Sequence, residues 1–259
     1  MRPLPKALIG LLVVSGFAAK LAAAESVAAP PTLRLAEANG AFALDLYAKL
    51  KSQKGNLFFS PYSVATCLRM VNVGARGQTR EQLCRILHTA ANDLEIEEAS
   101  GRVLSQLAPD MPRVELRMAN GLWAQKGDPF KEEFLGALRR DYAAELQRLD
   151  FRGAPAAAAE AINRWAAKQT QGKITSIVNP SQFSPLDALV LANAIYFKAD
   201  WERQFSEAAT SEAPFQVTKE RSVPVKLMTQ TGMFPLVEPP DLQVLELAYV
   251  GQGSVPNGP

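Results

Sequence analysis

LVLANAIYFKADWERQF, which runs from Leu189 to Phe205, is the stretch from which the fold of this chain can be inferred. Up to Phe197 the side chains on both faces of an extended strand are predominantly apolar, and Asn193 is the one amide among them. A strand that is apolar on both faces is typical of the middle of a sheet that is covered on both sides. We therefore predict that residues 189–197 form a central strand.

Asn193 lies in the middle of this predicted strand. A buried amide that is left unpaired costs about 1–3 kcal/mol, so this side chain needs hydrogen-bond partners. Hydroxyl groups at the start of a helix are candidate partners, and exchangeable bonds of this kind would let a sheet part at low cost. The alternative is a single satisfied polar residue of the core, with no mechanical role. The sequence leaves both interpretations open.

NLFFSPYSVATCLRMVNVGARGQTR, residues 56–80, is the second informative stretch. Its apolar residues 57–59 predict a short strand. Ser60 followed by Pro61 then predicts the start of a helix, because serine is a favoured N-cap and proline is favoured in the first turn. Apolar residues recur along one side of this helix, and two glycines mark its end.

The remaining elements follow from apolar spacing and turn residues. Thr79 followed by Gln82 predicts a capping box at the start of a third helix. Further helices are predicted at residues 35–50, 93–111, from 128 onward and 155–171, and strands at 114–124, 215–217, 223–228, 233–237 and 242–247. Because the helices come mostly first and the strands mostly later, the predicted fold class is α+β rather than a βαβ repeat.

The N-terminus has the pattern of an export signal. Arg2 and Lys6 precede an apolar segment, residues 7–19, that is too short to span a bilayer, and alanines 22–24 offer a cleavage site. We predict a signal peptide at residues 1–24 and a linker at 25–32, hence a secreted protein, extracellular or periplasmic. An uncleaved membrane anchor and a poorly ordered tail are the alternatives.

Composition argues against several classes of partner. With 28 basic and 26 acidic residues the net charge is +2, so no global field indicates binding to nucleic acid or, after signal cleavage, to a membrane. The two cysteines, Cys67 and Cys84, form no disulfide framework. Both fall in predicted helices among apolar neighbours, which indicates buried thiols, although an oxidising compartment would also permit a pair.

Catalytic and metal sites are not indicated either. The chain has one histidine, His88, and lacks a nucleophile elbow and a Cys-His signature. His88 and Cys84 leave no second pair of metal ligands. The sequence therefore predicts a protein that is not an enzyme and has no cofactor or metal.

Residues 33–249 resemble the serpin family of protease inhibitors, through the motifs NLFFSP, GARGQT and NAIYFKADWE. The resemblance implies that N-terminal helices pack behind a large central β-sheet. It also implies that Ser60, Ser63 and Asn193 correspond to the polar cluster called the shutter, over which the sheet opens. Trp201 corresponds to the tryptophan of the breach, where strand insertion begins. The family's shutter also uses a histidine from later in the chain, a position that His88 does not match.

The resemblance further implies how a full-length relative inhibits a serine or cysteine protease. The protease attacks a reactive bond in an exposed C-terminal loop, and the cleaved loop then enters the central sheet as a new strand. No segment of this chain matches that loop. We expect a partial serpin domain at residues 33–249 that lacks the C-terminal strands, followed at 250–259 by an ordinary loop or a disordered, out-of-frame tail.

Two functional interpretations follow from this comparison. In the first, the chain is a secreted relative of serine-type endopeptidase inhibitors that cannot inhibit because the reactive-centre loop is absent. In the second, it is a non-inhibitory remnant or a binding scaffold. In either case, a sheet that lacks neighbouring strands exposes edges and apolar faces, so we expect the chain to self-associate or aggregate.

Overall fold

A computed structural model of the chain describes residues 29–90, 93–106, 113–218, 220–240 and 242–250. The helices in these ranges are α1 (Pro31–Leu50), α2 (Pro61–Gly74), α3 (Gly77–Ile86), α4 (Leu94–Gln106), α5 (Glu132–Tyr142) and α6 (Pro155–Gln169). The strands are β1 (Val114–Gln125), β2 (Glu145–Leu149), β3 (Leu189–Ala199), β4 (Ser211–Thr218), β5 (Arg221–Leu227), β6 (Leu236–Val237) and β7 (Val244–Leu245). The α+β class is confirmed. The predicted signal peptide and nearly all of the predicted tail lie outside the described residues.

The main sheet has three strands in the order β2-β1-β3. β1 is parallel to β2 and antiparallel to β3, with pairs running from Val114 opposite Ala199 to Ala124 opposite Leu189. The prediction that residues 189–197 form a central strand is therefore wrong for the described part of the chain, where β3 is an edge strand. β1, which pairs with a strand on each side, is the middle strand of this sheet.

Helices cover both faces of β1. Successive side chains of a strand point to opposite faces, so Leu122 and Trp123 belong to different cores. Leu122 packs with α5 and α2. Trp123 packs with α6, where its ring meets that of Trp165 edge to face at a centroid distance of 5.1 Å. Gly121 leaves room for this arrangement, because a Cβ atom there would lie 2.3 Å from the Trp123 ring.

The start of α2 agrees with the sequence prediction. The Ser60 hydroxyl accepts a hydrogen bond from the backbone N–H of Ser63, and Pro61 occupies the first turn. Further along the helix, the buried Arg69 guanidinium donates from Nη1 to Asn39 Oδ1 of α1 at 2.7 Å. α2 is thereby tied to α1 on one side and packs on β3 on the other.

Several local predictions were wrong. Residues 57–59 form no strand, since no described strand pairs with them, and Phe58 is fully exposed. α3 begins at Gly77 with Arg76 as N-cap and no side-chain cap, so Thr79 is not its cap. α5 begins at Glu132, after the predicted start at residue 128. β2 was not predicted, because its short sequence shows no clear alternation.

The C-terminal strands form two small antiparallel pairs, β4 with β5 and β6 with β7. Their apolar side chains are largely exposed; Phe215 and Val237, for example, are 54% and 65% exposed.

Cys67 and Cys84 are free thiols, so the alternative of a disulfide is not realised. None of the described helices has both the length and the apolarity needed to cross a membrane.

Candidate functional site

Two side-chain amides, those of Asn120 and Asn193, link β1 to β3; we call this pair the amide seam. Asn193 lies directly opposite Asn120 in the strand register, and its Nδ2 donates to Asn120 Oδ1 at 2.8 Å. Asn120 Nδ2 in turn donates to the main-chain carbonyl of Tyr142, the last residue of α5, at 2.7 Å. Asn120 is 1% exposed. The amides therefore link β3, β1 and α5 through hydrogen bonds in a buried environment.

One oxygen atom of these two amides forms no hydrogen bond with any described residue. Asn193 Oδ1 is buried and has no hydrogen-bond partner among the described residues. An unpaired buried acceptor costs about 1–3 kcal/mol. The seam therefore contains an acceptor that is available to a donor brought in from elsewhere.

Cys67 of α2 lies beneath the same residue. Burial raises the pKa of its thiol to about 11, and a hydrogen bond from the main chain of Asn193 partly offsets this rise. The thiol is consequently protonated at neutral pH and acts as a packing group. This contact places α2 directly against the middle of β3.

The serines at the start of α2 bond to each other instead of to Asn193. Ser63 Oγ donates to Ser60 Oγ at 3.0 Å, in addition to the N-cap contact described above. The predicted hydroxyl partners of Asn193 are thus replaced by Asn120. The reason is proximity, because the strand register places the two amides face to face.

Asn120 is a site residue that the sequence reasoning missed. It lies in the middle of a strand that was correctly predicted, as Asn193 does, and both are amides within mainly apolar runs. Two such residues on strands that pair could have been matched as a buried amide pair, had the strand register been known.

Trp201 lies just beyond the end of β3, in an aromatic cluster. Its ring stacks on Tyr249 at a centroid distance of 4.5 Å, and Phe205 meets it edge to face at 6.2 Å. The main chain reinforces this contact, since Glu202 N–H donates to the Ala248 carbonyl at 2.9 Å. Asn193 and Trp201 thus occupy two separate sites along β3 and its extension.

The one histidine of the chain lies beside a carboxylate at the surface. His88 Nε2 lies 2.9 Å from Asp45 Oδ2, an exposed pair. In the part of the chain that the structure describes, no group of three or more histidine, cysteine, aspartate or glutamate side chains could hold a metal ion. The features that the geometry does bring together are the amide seam and the aromatic cluster.

Comparisons with known proteins give the family. A family model described as Serpin (serine protease inhibitor) matches residues 37–255. The chain belongs to the serpin family. It is 42% identical over 213 residues to a serpin-like protein of Thermococcus kodakarensis, a match that covers 82% of this chain and 49% of the relative. It is 38% identical over 223 residues to the leukocyte elastase inhibitor of Bos taurus, a match that covers 85% of this chain and 59% of the relative.

Solved serpin structures share the fold. Ovalbumin from emu (Dromaius novaehollandiae) superposes with a TM-score of 0.79 at 29% identity, covering 84% of this chain and 60% of the ovalbumin chain. A serpin of the insect Tenebrio molitor gives a TM-score of 0.76 at 31% identity, with coverages of 85% and 60%. This serpin chain therefore spans about half to three fifths of the length of the relatives it matches.

Proposed function

We propose that this chain provides the strand-accepting part of a serpin-type inhibitor of serine proteases. The observation that carries the proposal is the second edge of β3, which pairs with no other strand among the described residues. Main-chain N–H and C=O groups at an open edge can pair with an added strand. The relatives whose names describe elastase inhibition support a protease as the partner of the whole protein.

The amide seam gives this edge a defined role. In the proposal, Asn193 is held from the β1 side by Asn120, while its unpaired Oδ1 accepts a hydrogen bond from a group of the incoming strand or of another segment. Satisfying a buried acceptor adds to the free energy gained from the new backbone hydrogen bonds. Ser60 and Ser63 are proposed to exchange their mutual bond for contacts to this cluster when the sheet opens.

Accepting a strand and trapping a protease are separate abilities of a serpin. No segment of residues 29–250 resembles the family's reactive loop. We therefore propose that these residues do not trap a protease by themselves. We also propose that the protein is exported after cleavage near residue 24, which the basic start and the apolar segment 7–19 support.

A peptide-binding experiment tests the proposal. We expect an extended, uncharged peptide with alternating small side chains to bind the purified chain with one-to-one stoichiometry and to raise its thermal midpoint. A matched peptide with proline at alternate positions should not bind, because it lacks the N–H groups that pair with an edge. Incubation of the chain alone with elastase should give no complex that survives detergent.

The two parts of the proposal fail separately. Equal binding of both peptides, or of neither, would contradict the strand-accepting role and favour a scaffold without it. A detergent-stable complex between the chain alone and the protease would contradict the assignment of trapping to other residues.

A further inference from the structure

A cavity of about 490 Å³ lies where α2 ends and α3 and α5 begin. This volume is within the range of small-molecule sites, about 300–1,000 Å³. Its lining is mainly apolar and includes the rings of Phe130 and Phe134. Leu189, the first residue of β3, also lines it, whereas none of the residues of the amide seam or the aromatic cluster does.

The apolar wall of the cavity is held in place by packing. The rings of Phe130 and Phe134 stack at a centroid distance of 6.5 Å, and both pack against the core beneath α5. Gly74 allows this position of the second ring, because a Cβ atom at residue 74 would lie 3.0 Å from it. The wall is therefore formed before any ligand arrives.

The rim of the cavity is basic at two points. Arg76 is the N-cap residue of α3, and Lys131 is the N-cap residue of α5; neither helix start has a side-chain cap. Arg76 Nη1 donates to the carbonyls of Val73 and Ala75, which fixes the guanidinium at the cavity edge. None of the ion pairs found within the described ranges includes Arg76 or Lys131.

The charges therefore favour an anion with one negative charge. Two cations flank the opening, and the positive ends of two helices lie beside them. Glu133 also lines the cavity and opposes a second negative charge on the ligand. An apolar wall beside two cationic donors and one carboxylate, with a net charge of +1, fits a monocarboxylate better than a phosphate dianion.

We propose that this cavity binds a small apolar monocarboxylate, of the class of a free medium-chain fatty acid. The carboxylate lies between Arg76 and Lys131, and the hydrocarbon chain packs on Phe130 and Phe134. Charge-assisted hydrogen bonds hold the headgroup, and burial of apolar surface holds the chain. The ligand thereby contacts the start of β3 without touching Asn193.

Calorimetric titration of the full chain with decanoate tests this proposal. We expect saturable binding at one site, and binding of decanol or decyl phosphate that is weaker by about tenfold or more, because the alcohol lacks the charge and the phosphate carries more than one. The double variant Arg76→Gln/Lys131→Gln should weaken decanoate binding by about tenfold or more.

Two further variants distinguish binding in this cavity from non-specific binding. Ala137→Phe adds a ring to the cavity lining without changing charge, so it should abolish binding. Arg139→Gln removes an exposed cation of the same helix that does not line the cavity, and it should leave the dissociation constant unchanged. Circular dichroism confirms that each variant is folded before titration.

The proposal is overturned if the folded chain shows no saturable binding of decanoate, if decanol binds as tightly as decanoate, or if Arg139→Gln weakens binding as much as the double variant does. Retained binding in a folded Ala137→Phe protein would place the ligand elsewhere, which also rejects the assignment.

Discussion

β1 and β3 run side by side along the main sheet, yet only β1 is enclosed. The last six residues of β1, 120–125, are all buried, whereas in β3 only Tyr196 is. β1 has a strand on each side and a helix layer over each face, whereas among the described strands β3 has a neighbour, β1, on one side only. An apolar sequence thus shows that a strand is suited to the centre of a sheet. Whether the strand is buried depends on the strands and helices that pack beside it.

The same contrast holds between a buried side chain of β1 and apolar side chains outside the main sheet. Trp123 is 1% exposed, whereas Phe58, Leu186 and Met233 are 101%, 89% and 89% exposed. Leaving a large apolar side chain in water forgoes about 1.5–3 kcal/mol of stabilisation. The exposed apolar residues are therefore expected to drive self-association, whereas the buried ones hold the fold.

Replacing the enclosed tryptophan is expected to have the largest effect. Trp123→Ala removes the ring that packs on Trp165 and leaves a cavity beneath α6. The free energy of unfolding should fall by about 3–5 kcal/mol. Urea unfolding followed by circular dichroism measures this loss.

Phe58→Ala is the matched control for Trp123→Ala, made at an exposed aromatic residue. Because the Phe58 ring is fully exposed, its removal should change the free energy of unfolding by less than about 0.5 kcal/mol. It should also lower the apparent mass of the chain in sedimentation at high protein concentration. A loss similar to that of Trp123→Ala would erase the distinction between the two regions.

Substitutions at the two residues of the amide seam are expected to lower the free energy of unfolding by unequal amounts. Asn120→Ala removes hydrogen bonds both to Asn193 and to the Tyr142 carbonyl, so a loss of about 2 kcal/mol is expected. Asn193→Ala should cost less, about 1 kcal/mol, because it also removes the unsatisfied Oδ1.

A double variant checks whether the two amides act together. If they do, Asn120→Ala/Asn193→Ala should lose little more than Asn120→Ala alone, because the shared bond is already broken. Losses that add fully would mean that the 2.8 Å contact between the amides contributes nothing to stability.

The sequence predicted the elements of the enclosed region well. The alternation in β1, the Ser60 cap of α2 and the helix from Pro155 onward all appear in the structure. Each depends on local rules, such as strand alternation and helix capping, that a short segment satisfies by itself. The serpin resemblance, through the longer motifs, supplied the family and fold that the comparisons then showed.

What could not be predicted depends on pairing between distant segments. The register that places Asn120 opposite Asn193 joins residues 73 positions apart, and no local pattern encodes it. Residues 57–59 have the composition of a strand but no described strand pairs with them. Trp201 was assigned by resemblance alone, and its stacking on Tyr249 depends on a chain segment far along the sequence.

An effect that appears only at high pH is expected at the Cys67 thiol, where α2 meets β3. Burial of Cys67 raises its pKa from 9.0 to about 11. Between these values the unfolded chain loses the thiol proton while the folded chain keeps it. Stability is therefore full below about pH 9 and falls as the pH rises toward 11, by about 1.4 kcal/mol near pH 10.

Comparison with Cys67→Ala isolates this contribution, because every other titrating group is present in both proteins. The difference in free energy of unfolding between wild type and variant should be constant from about pH 7 to about pH 9 and should then shift against the wild type. Parallel urea midpoints across the whole range would show that the thiol titrates alike in both states, and hence that α2 does not seal the middle of β3 as tightly as the contact with Asn193 implies.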